Sequence, residues 1–313
     1  MHINEINRAY NRIKPYIYRT PIFTNKSLNE LVSANLYFKC ENFQKAGSFK
    51  IRGATNAVAQ LTSDKIKCGI ATASSGNHGA ALSMAVSNRG GITKVVMPEN
   101  TPKIKVNNVI RNGGEIIWCK PNQISRESVL KQLIKDTRAE LIHPYNDIRI
   151  ITGQATIAKE LLEDIPKLDV IISPVSGGGL LSGILSYVKK VKPGISVFGA
   201  EPIEADDTFR SIKSGKIESN ITTNTICDGL RAQVGTITFP IIKDLVDGIF
   251  TISEQDIIES LRLIFDRMKI IVEPSCSIAL AAVIKNKNKF NGKNIGIILS
   301  GGNIDLDQLP WNK

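Results

Sequence analysis

The stretch GIATASSGNHGAALSMAVSNRGGITKVVMPENTPKIKVNNVIRNGGEIIWC, residues 69–119, decides the fold. It repeats one beat. GIATAS (69–74) is a short apolar run bounded by turn residues, as a buried strand requires, and 77–88 reads as a helix. TKVVMP (93–98) is a second strand. Residues 102–112 form a second helix with Gly113-Gly114 as its stop, and EIIWC (115–119) is a third strand before a helix over 125–138. Such alternation predicts a parallel sheet covered by helices. The beat continues outward. Helix 153–163, strand DVIISPV (169–175), helix 180–190 and strand SVFGAE (196–201) follow, then helices 254–268 and 277–284 and the strand IGIILS (295–300). Before it lie a surface helix over 3–13, broken at Arg19-Thr20-Pro21, and the strand NLYFK (35–39). The expectation is an α/β protein of two open, mostly parallel domains. Residues 66–146 form a small domain inserted into a larger one made of 1–65 and 147–313, with the active site in the cleft between them.

The totals exclude several classes. At 313 residues the chain can bury a large core, and 42% hydrophobic with 22% charged is ordinary for a soluble enzyme. No apolar run suggests a membrane span, and the mixed charges of MHINEINRAYNRIKPYIYRTPIF lack a signal core, so cytoplasm is expected. The five cysteines (Cys40, Cys68, Cys119, Cys227, Cys276) form no CxxC pair and read as buried, reduced thiols. The net charge of +11 is spread along the chain, and its densest run, KNKNKF (285–290), lacks interleaved aromatics, so no nucleic-acid partner is expected. A basic surface can instead draw in small anions.

Upstream of the repeating beat stands FQKAGSFKIRGA (43–54). Gly47 and Gly53 bracket Lys50, Phe49 precedes it, and Ala54, Ala57, Val58 and Leu61 follow at helical spacing. Lys50 should therefore sit where a loop enters a helix, its ammonium beside an aromatic ring. Desolvation lowers a lysine's pKa, which suits it to a Schiff base with a carbonyl cofactor. Read from this stretch alone, a phosphate-pairing or exposed lysine is the plainer account.

Three glycine- and serine-rich turns change that balance, because ligands of open α/β sheets bind at the strands' carboxyl ends. Ser74-Ser75-Gly76-Asn77-His78-Gly79 offers hydroxyls, an amide and helix N-terminal amides that suit a carboxylate, although SSGN is also an ordinary N-cap. Ser176-Gly177-Gly178-Gly179 lets backbone amides close around a phosphate, although glycine turns also serve geometry alone. Ser300-Gly301-Gly302-Asn303 offers a hydroxyl to a ring nitrogen. A dinucleotide site is the rival at the second turn, with Glu201 as ribose acid; there Gly183 arrives one residue late for G-x-G-x-x-G, and Lys50 and SSGNHG go unused. An aldehyde for Lys50, a phosphate for the glycines and a pyridine nitrogen for Ser300 together describe pyridoxal 5′-phosphate.

With FQKAGSFKIRGA, SSGNHG, ITGQATIAKE, SGGGLLSG, DGLRAQVGTITFPIIKDLVD and SGGN in this order, the chain resembles the fold-type-II (tryptophan-synthase-β-like) pyridoxal-phosphate enzymes nearly end to end, and within them the serine/threonine dehydratases and serine racemases. The resemblance implies Lys50 as the Schiff-base lysine and Asn77 near the ring hydroxyl. It puts Ser176, Gly177, Gly178, Gly179 and Leu180 at the phosphate and Ser300 at the pyridine nitrogen, with Phe49 completing the cofactor's surroundings. Ser74, Ser75, Asn77 and His78 take the substrate carboxylate. Ser75, on the face opposite Lys50, can return a proton to Cα and so racemise. The resemblance also implies a divalent cation, Mg²⁺ (or Ca²⁺ or Mn²⁺), on Glu201, the Ala205 carbonyl and Asp207, the alternative being a plain acidic loop. A homodimer is the family's habit. Two departures disagree: Tyr145 in HPYND stands where the mammalian racemases carry asparagine, while DGLRAQVG is racemase-like.

The expected reaction is dehydration and deamination of L-serine or L-threonine to a 2-oxo acid and ammonia, with serine racemisation from the same intermediate. threo-3-Hydroxyaspartate would need a cation for its second carboxylate; Arg126 is the candidate, against a plain surface charge on helix 125–138. Glu273, before Pro274, either tunes a proton near the site or favours a helix N-terminus. The other classes are a nicotinamide-dependent oxidoreductase and a non-catalytic amino-acid-binding relative.

Overall fold

The apolar runs become two sheets in the computed structural model, which describes residues 1–74 and 76–311 apart from the Gln123 side chain. In chain order the strands are β1 (Ile22–Phe23), β2 (Asn35–Cys40), β3 (Ile70–Ala73), β4 (Thr93–Pro98), β5 (Gly114–Cys119), β6 (Glu140–Leu141), β7 (Val170–Pro174), β8 (Ser196–Pro202), β9 (Gly248–Ile252) and β10 (Asn294–Leu299). The larger sheet runs β1-β2-β10-β7-β8-β9 and the smaller β5-β4-β3-β6. Every pairing is parallel except β1 with β2. The α/β, mostly parallel expectation holds.

Alternation along the strands explains the core. In β7, Ile171 and Ile172 point to opposite faces, as do Ile297 and Ile298 of β10. Ile172 and Ile297 join one apolar cluster with Phe38 and Ile278, while Ile171 and Ile298 join another with Leu181 and Ile184. Helices therefore cover the larger sheet on both sides, and every residue of β7 is buried. That is why β7 reads as continuous apolar sequence. The parallel register brings the ends of β7 and β10 to one edge, where the turns at 176–179 and 300–302 begin.

Differences from the sequence expectation lie mostly at boundaries. The helix expected from 153 starts at Ile148, where the Asp147 side chain accepts from the Arg149 amide; a β-branched run concealed it. The helix expected over 254–268 is α-helical only to Leu263, continues as a π turn over Ile264–Met268, and stops at Lys269 with φ 59°. Pro274 opens the helix expected from 277, a position where its missing N–H costs nothing. Helices Lys26–Val32, Asp207–Ser214 and Thr238–Leu245 and strand β9 were not foreseen. Four cysteines are buried as expected, whereas Cys68 is exposed. No helix among the described residues is long and apolar enough to cross a membrane.

Candidate active site

Lys50 is the first residue of the helix Lys50–Val58, so the loop-to-helix reading holds. Its Nζ donates to the Pro144 carbonyl at 3.1 Å and lies 5.1 Å from the centroid of the Phe49 ring. No carboxylate pairs with it among the described residues; burial pulls its pKa down to about 8, with the more distant charge of Glu273 pulling the other way. About a tenth of the amine is thus neutral at pH 7, against less than about a thousandth at its ordinary pKa.

The helix that carries Lys50 is fixed by a side chain that sequence reasoning passed over. Arg52, fully buried, gives Nε to Glu41 Oε2 at 2.7 Å, Nη2 to Glu41 Oε1 at 2.8 Å, and Nη1 and Nη2 to the two Glu160 oxygens at 2.8 Å each. Lys39 donates to Glu160 at 2.7 Å and to the Thr20 carbonyl at 2.8 Å. Two cations and two carboxylates close a neutral, buried cluster. Beside it the helix crosses Ile148–Gln154 so closely that a Cβ on Gly153 would stand 2.6 Å from the Arg52 carbonyl oxygen. One on Gly53 would meet Gln154 at 2.4 Å.

The three turns converge on this helix start. Ser74 Oγ accepts from the amides of Gly76 (3.1 Å) and Gly79 (3.0 Å), shaping the first turn; Ser75 lies outside the described residues. Asn77 Nδ2 donates to both Glu273 oxygens, at 2.8 and 3.1 Å, and Asn77 Oδ1 accepts from Asn303 Nδ2 at 2.9 Å. Asn303 thereby ties the third turn to the first. Glu273 does not cap its own helix; its carboxylate serves Asn77. His78 is turned inward, 2% exposed, with Nε2 3.4 Å from the Ile142 carbonyl, and burial followed by the Lys50 charge holds it well below its usual pKa. Gly79 has a packing reason: a Cβ there would come within 2.8 Å of Val95.

The second turn opens the helix Gly179–Val191, whose first amides have no intrahelical acceptor. Gly178 has φ +87°, and a Cβ on Gly177 would sit 2.4 Å from the Tyr145 ring. Tyr145 thus covers the glycine turn, while its neighbour Pro144 holds Lys50. Ser176 accepts from the Ala232 amide at 3.1 Å, and Leu180 is buried behind the turn. Gly183, the late third glycine of the dinucleotide reading, serves helix packing, since its Cβ would stand 2.7 Å from the Ala155 nitrogen. The Ser300 carbonyl accepts from the Phe49 amide at 3.0 Å, which places the third turn directly behind Lys50. Arg126 is partly buried on the helix Gln123–Thr137, close enough for its charge to act on Tyr145. A partly buried, carboxylate-free amine, a glycine turn with unpaired helix N-terminal amides and a serine turn fit pyridoxal phosphate.

Glu201 is the last residue but one of β8, and Asp207 opens the helix Asp207–Ser214; both are fully buried. Glu201 accepts from the Phe209 and Thr208 amides (2.9 and 3.3 Å) and Asp207 Oδ2 from the Val234 amide (2.7 Å), while Asp207 Oδ1 has no partner. Burial raises both pKa values, that of Asp207 to about 6 and that of Glu201 well above the ordinary range with Asp207 adding to it. Among the described residues no group of three or more acidic, histidine or cysteine side chains could hold a metal. Two carboxylates with an orphaned oxygen, beside the buried Ala205, nevertheless suit a hard cation that also takes a carbonyl.

This fold and site define a two-sheet enzyme built around one lysine and a phosphate cradle. The family model "Pyridoxal-phosphate dependent enzyme" matches residues 13–301, and the chain belongs to that family. It is 49% identical to a serine racemase of Arabidopsis thaliana, over 99% of this chain and 95% of the relative. It is 45% identical to a beta-hydroxyaspartate dehydratase of Paracoccus denitrificans, over 97% and 96%. The solved structure of maize serine racemase superposes with a TM-score of 0.96 at 44% identity, covering 99% of this chain and 95% of that one.

Proposed function

We propose that this enzyme dehydrates and deaminates L-serine or L-threonine to the 2-oxo acid and ammonia, and racemises serine at the same site. The observation that carries the reading is Lys50: an amine with its pKa down to about 8, half-buried between the Phe49 ring and the Pro144 carbonyl. Bound pyridoxal phosphate supplies an aldehyde for the substrate amine and a conjugated ring that spreads the charge left at Cα. Gly177, Gly178, Gly179 and Leu180 present amides to the phosphate, with Ser176 at the turn's start. Lys50 would hold the cofactor's aldehyde, and its amine, once free, would be the base for the Cα proton. Ser300, a neutral hydroxyl, accompanies the ring nitrogen without the full proton of a carboxylic acid, which favours prompt loss of the β-hydroxyl. One water leaves and one returns, so that serine yields the oxo acid and ammonia. Ser74 shapes the carboxylate turn through the Gly76 and Gly79 amides and Asn77 lines it, while His78 is buried beneath it. Ser75 would return a proton to Cα when racemisation wins.

A second reading is favoured by Arg126. Its charge reaches Tyr145 beside the glycine turn, where it can meet a second carboxylate, so 3-hydroxyaspartate is a further substrate. A divalent cation on Glu201, Asp207 and the Ala205 carbonyl steadies the loop that leads into the Ala232 segment. Residues 66–146 form the small domain, and residues 1–65 with 147–313 form the large one; the smaller sheet's strands all fall within the first range. The working form is a homodimer in the cytoplasm. The test is to incubate protein, cofactor and Mg²⁺ with L-serine, L-threonine and 3-hydroxyaspartate, following oxo acid and D-serine separately. A yellow protein whose colour borohydride fixes at Lys50 is expected, with Ser75→Ala losing D-serine before oxo acid. A colourless protein inert to all three substrates would sink the proposal.

A further inference from the structure

A buried lysine other than Lys39 stands beside the site, and the reaction as derived gives it no work. Lys105, 5% exposed, lies on the helix Lys103–Arg111 that joins β4 to β5 in the smaller sheet. Its stem runs beneath the carboxylate turn, so close that a Cβ on Gly76 would stand 2.5 Å from its Cδ. Its Nζ forms an ion pair with Asp228 and lies 4.0 Å from Glu273 Oε2, both carried by the body of the larger sheet. Glu273 in turn receives both hydrogen bonds of the Asn77 amide.

Resting on the reading above, we infer that Lys105 is a positioning residue for the reaction: its ammonium crosses from the smaller sheet to pair with Glu273, so that Glu273 grips Asn77 in one orientation. An amide has two ends. A carboxylate at Glu273 accepts from the Asn77 NH₂ and leaves its carbonyl to Asn303, whereas a carboxylic acid could also donate and lose that preference. The charged groups around Glu273 are Lys105, Asp228 and Lys50, with the Cys276 thiol nearby; Arg231 adds its charge to the surroundings of Lys105. Burial raises the Glu273 pKa, Asp228 raises it further, and Lys105 is the strongest influence opposing this. Lys105 itself stays charged: burial works against its proton, but Asp228 and Glu273 outweigh burial.

The two ends of the Lys105–Asp228 pair therefore push Glu273 in opposite directions, which separates positioning from a mere strut. The experiment compares Lys105→Met, Lys105→Arg and Asp228→Asn in the cofactor-loaded protein, by kcat and KM for L-serine across pH and by titrating cofactor absorbance without substrate. In Lys105→Met the acid limb and the absorbance transition move up by about one pH unit, and kcat falls about tenfold or more with a smaller change in KM. Lys105→Arg restores the limb, and Asp228→Asn moves it down. Equal losses in Lys105→Met and Asp228→Asn with an unmoved limb overturn the inference. Should Lys105→Met not fold, the opposite displacement of Asp228→Asn relative to wild type and Lys105→Arg decides. A wild type that turns over no hydroxy amino acid defeats the proposed reaction, while the absorbance titrations still judge Lys105.

Discussion

Lys50 and Arg52 leave one helix two residues apart, and their surroundings are opposites. Arg52 meets two carboxylates on fixed neighbouring elements, through four bonds of 2.7–2.8 Å. Burial lowers the pKa of both cations, but Glu41 and Glu160 more than reverse this for Arg52, while Lys50 settles near 8. The protein spends compensating charge on the residue that anchors the helix and withholds it from the residue that reacts. A fully paired lysine would be a poor nucleophile; an unpaired arginine would be a fault in the core.

Removing the reacting amine should give the largest effect. Lys50→Met is expected to lower turnover by roughly 10⁴-fold or more, since it removes both the covalent anchor and the base. The cofactor-free variant should nevertheless be the more stable protein at pH 7, by ~2 kcal/mol after allowance for partial exposure. The folded pKa near 8 lies below the ordinary 10.5, so the wild type gains stability as pH rises from 8 to 10.5, and the variant does not. Denaturant titrations at pH 7 and 10 would break the comparison if the two proteins gained equally.

The anchor is expected to behave in the reverse sense. Arg52→Met strands Glu41 in the core and leaves Glu160 with Lys39 alone, and should cost ~3–5 kcal/mol of apo-protein stability, because unpairing a buried ion pair leaves an uncompensated charge. Adding Glu41→Gln should return part of the loss. A loss under about 1 kcal/mol in chemical denaturation would mean that water reaches the cluster and that its burial overstates its role.

The same contrast explains what could be read from the chain. Strands of parallel sheets are buried on both faces, so β4, β7 and β10 announce themselves as apolar runs, and the glycine turns follow them at once. Lys50 was legible because Gly47, Phe49 and Gly53 surround it. Arg52, Glu160 and Lys105 were not, because their partners lie far along the chain: Glu160 is 108 residues from Arg52. Glu273 was ambiguous for the same reason. Before Pro274 it looks like a helix-end acid, and only the fold brings Asn77 to it. Gly79 and Gly183 carried a ligand-like pattern whose glycines the structure explains by close packing.

A third buried cluster sharpens the rule with the smallest expected effect. Among the described residues no cation forms an ion pair with Glu201 or Asp207, which makes the two the carboxylate counterpart of Lys50 and the opposite of Glu41. Their pKa values are raised by burial, that of Asp207 to about 6, so the folded protein holds more protons than the unfolded one between about pH 4 and 6. Metal-free protein should lose stability as pH rises through that window. A divalent cation competes with those protons, so Mg²⁺ should bind more tightly as pH rises through 6 and abolish the loss. At a hundredfold excess over its dissociation constant it should add about 2.7 kcal/mol. The gain should vanish at pH 4.5, and at any pH in Glu201→Gln/Asp207→Asn. A stability profile that neither falls through pH 6 without metal nor responds to Mg²⁺, Ca²⁺ or Mn²⁺ above it would make the pair a plain acidic loop, its charge relieved by protonation alone.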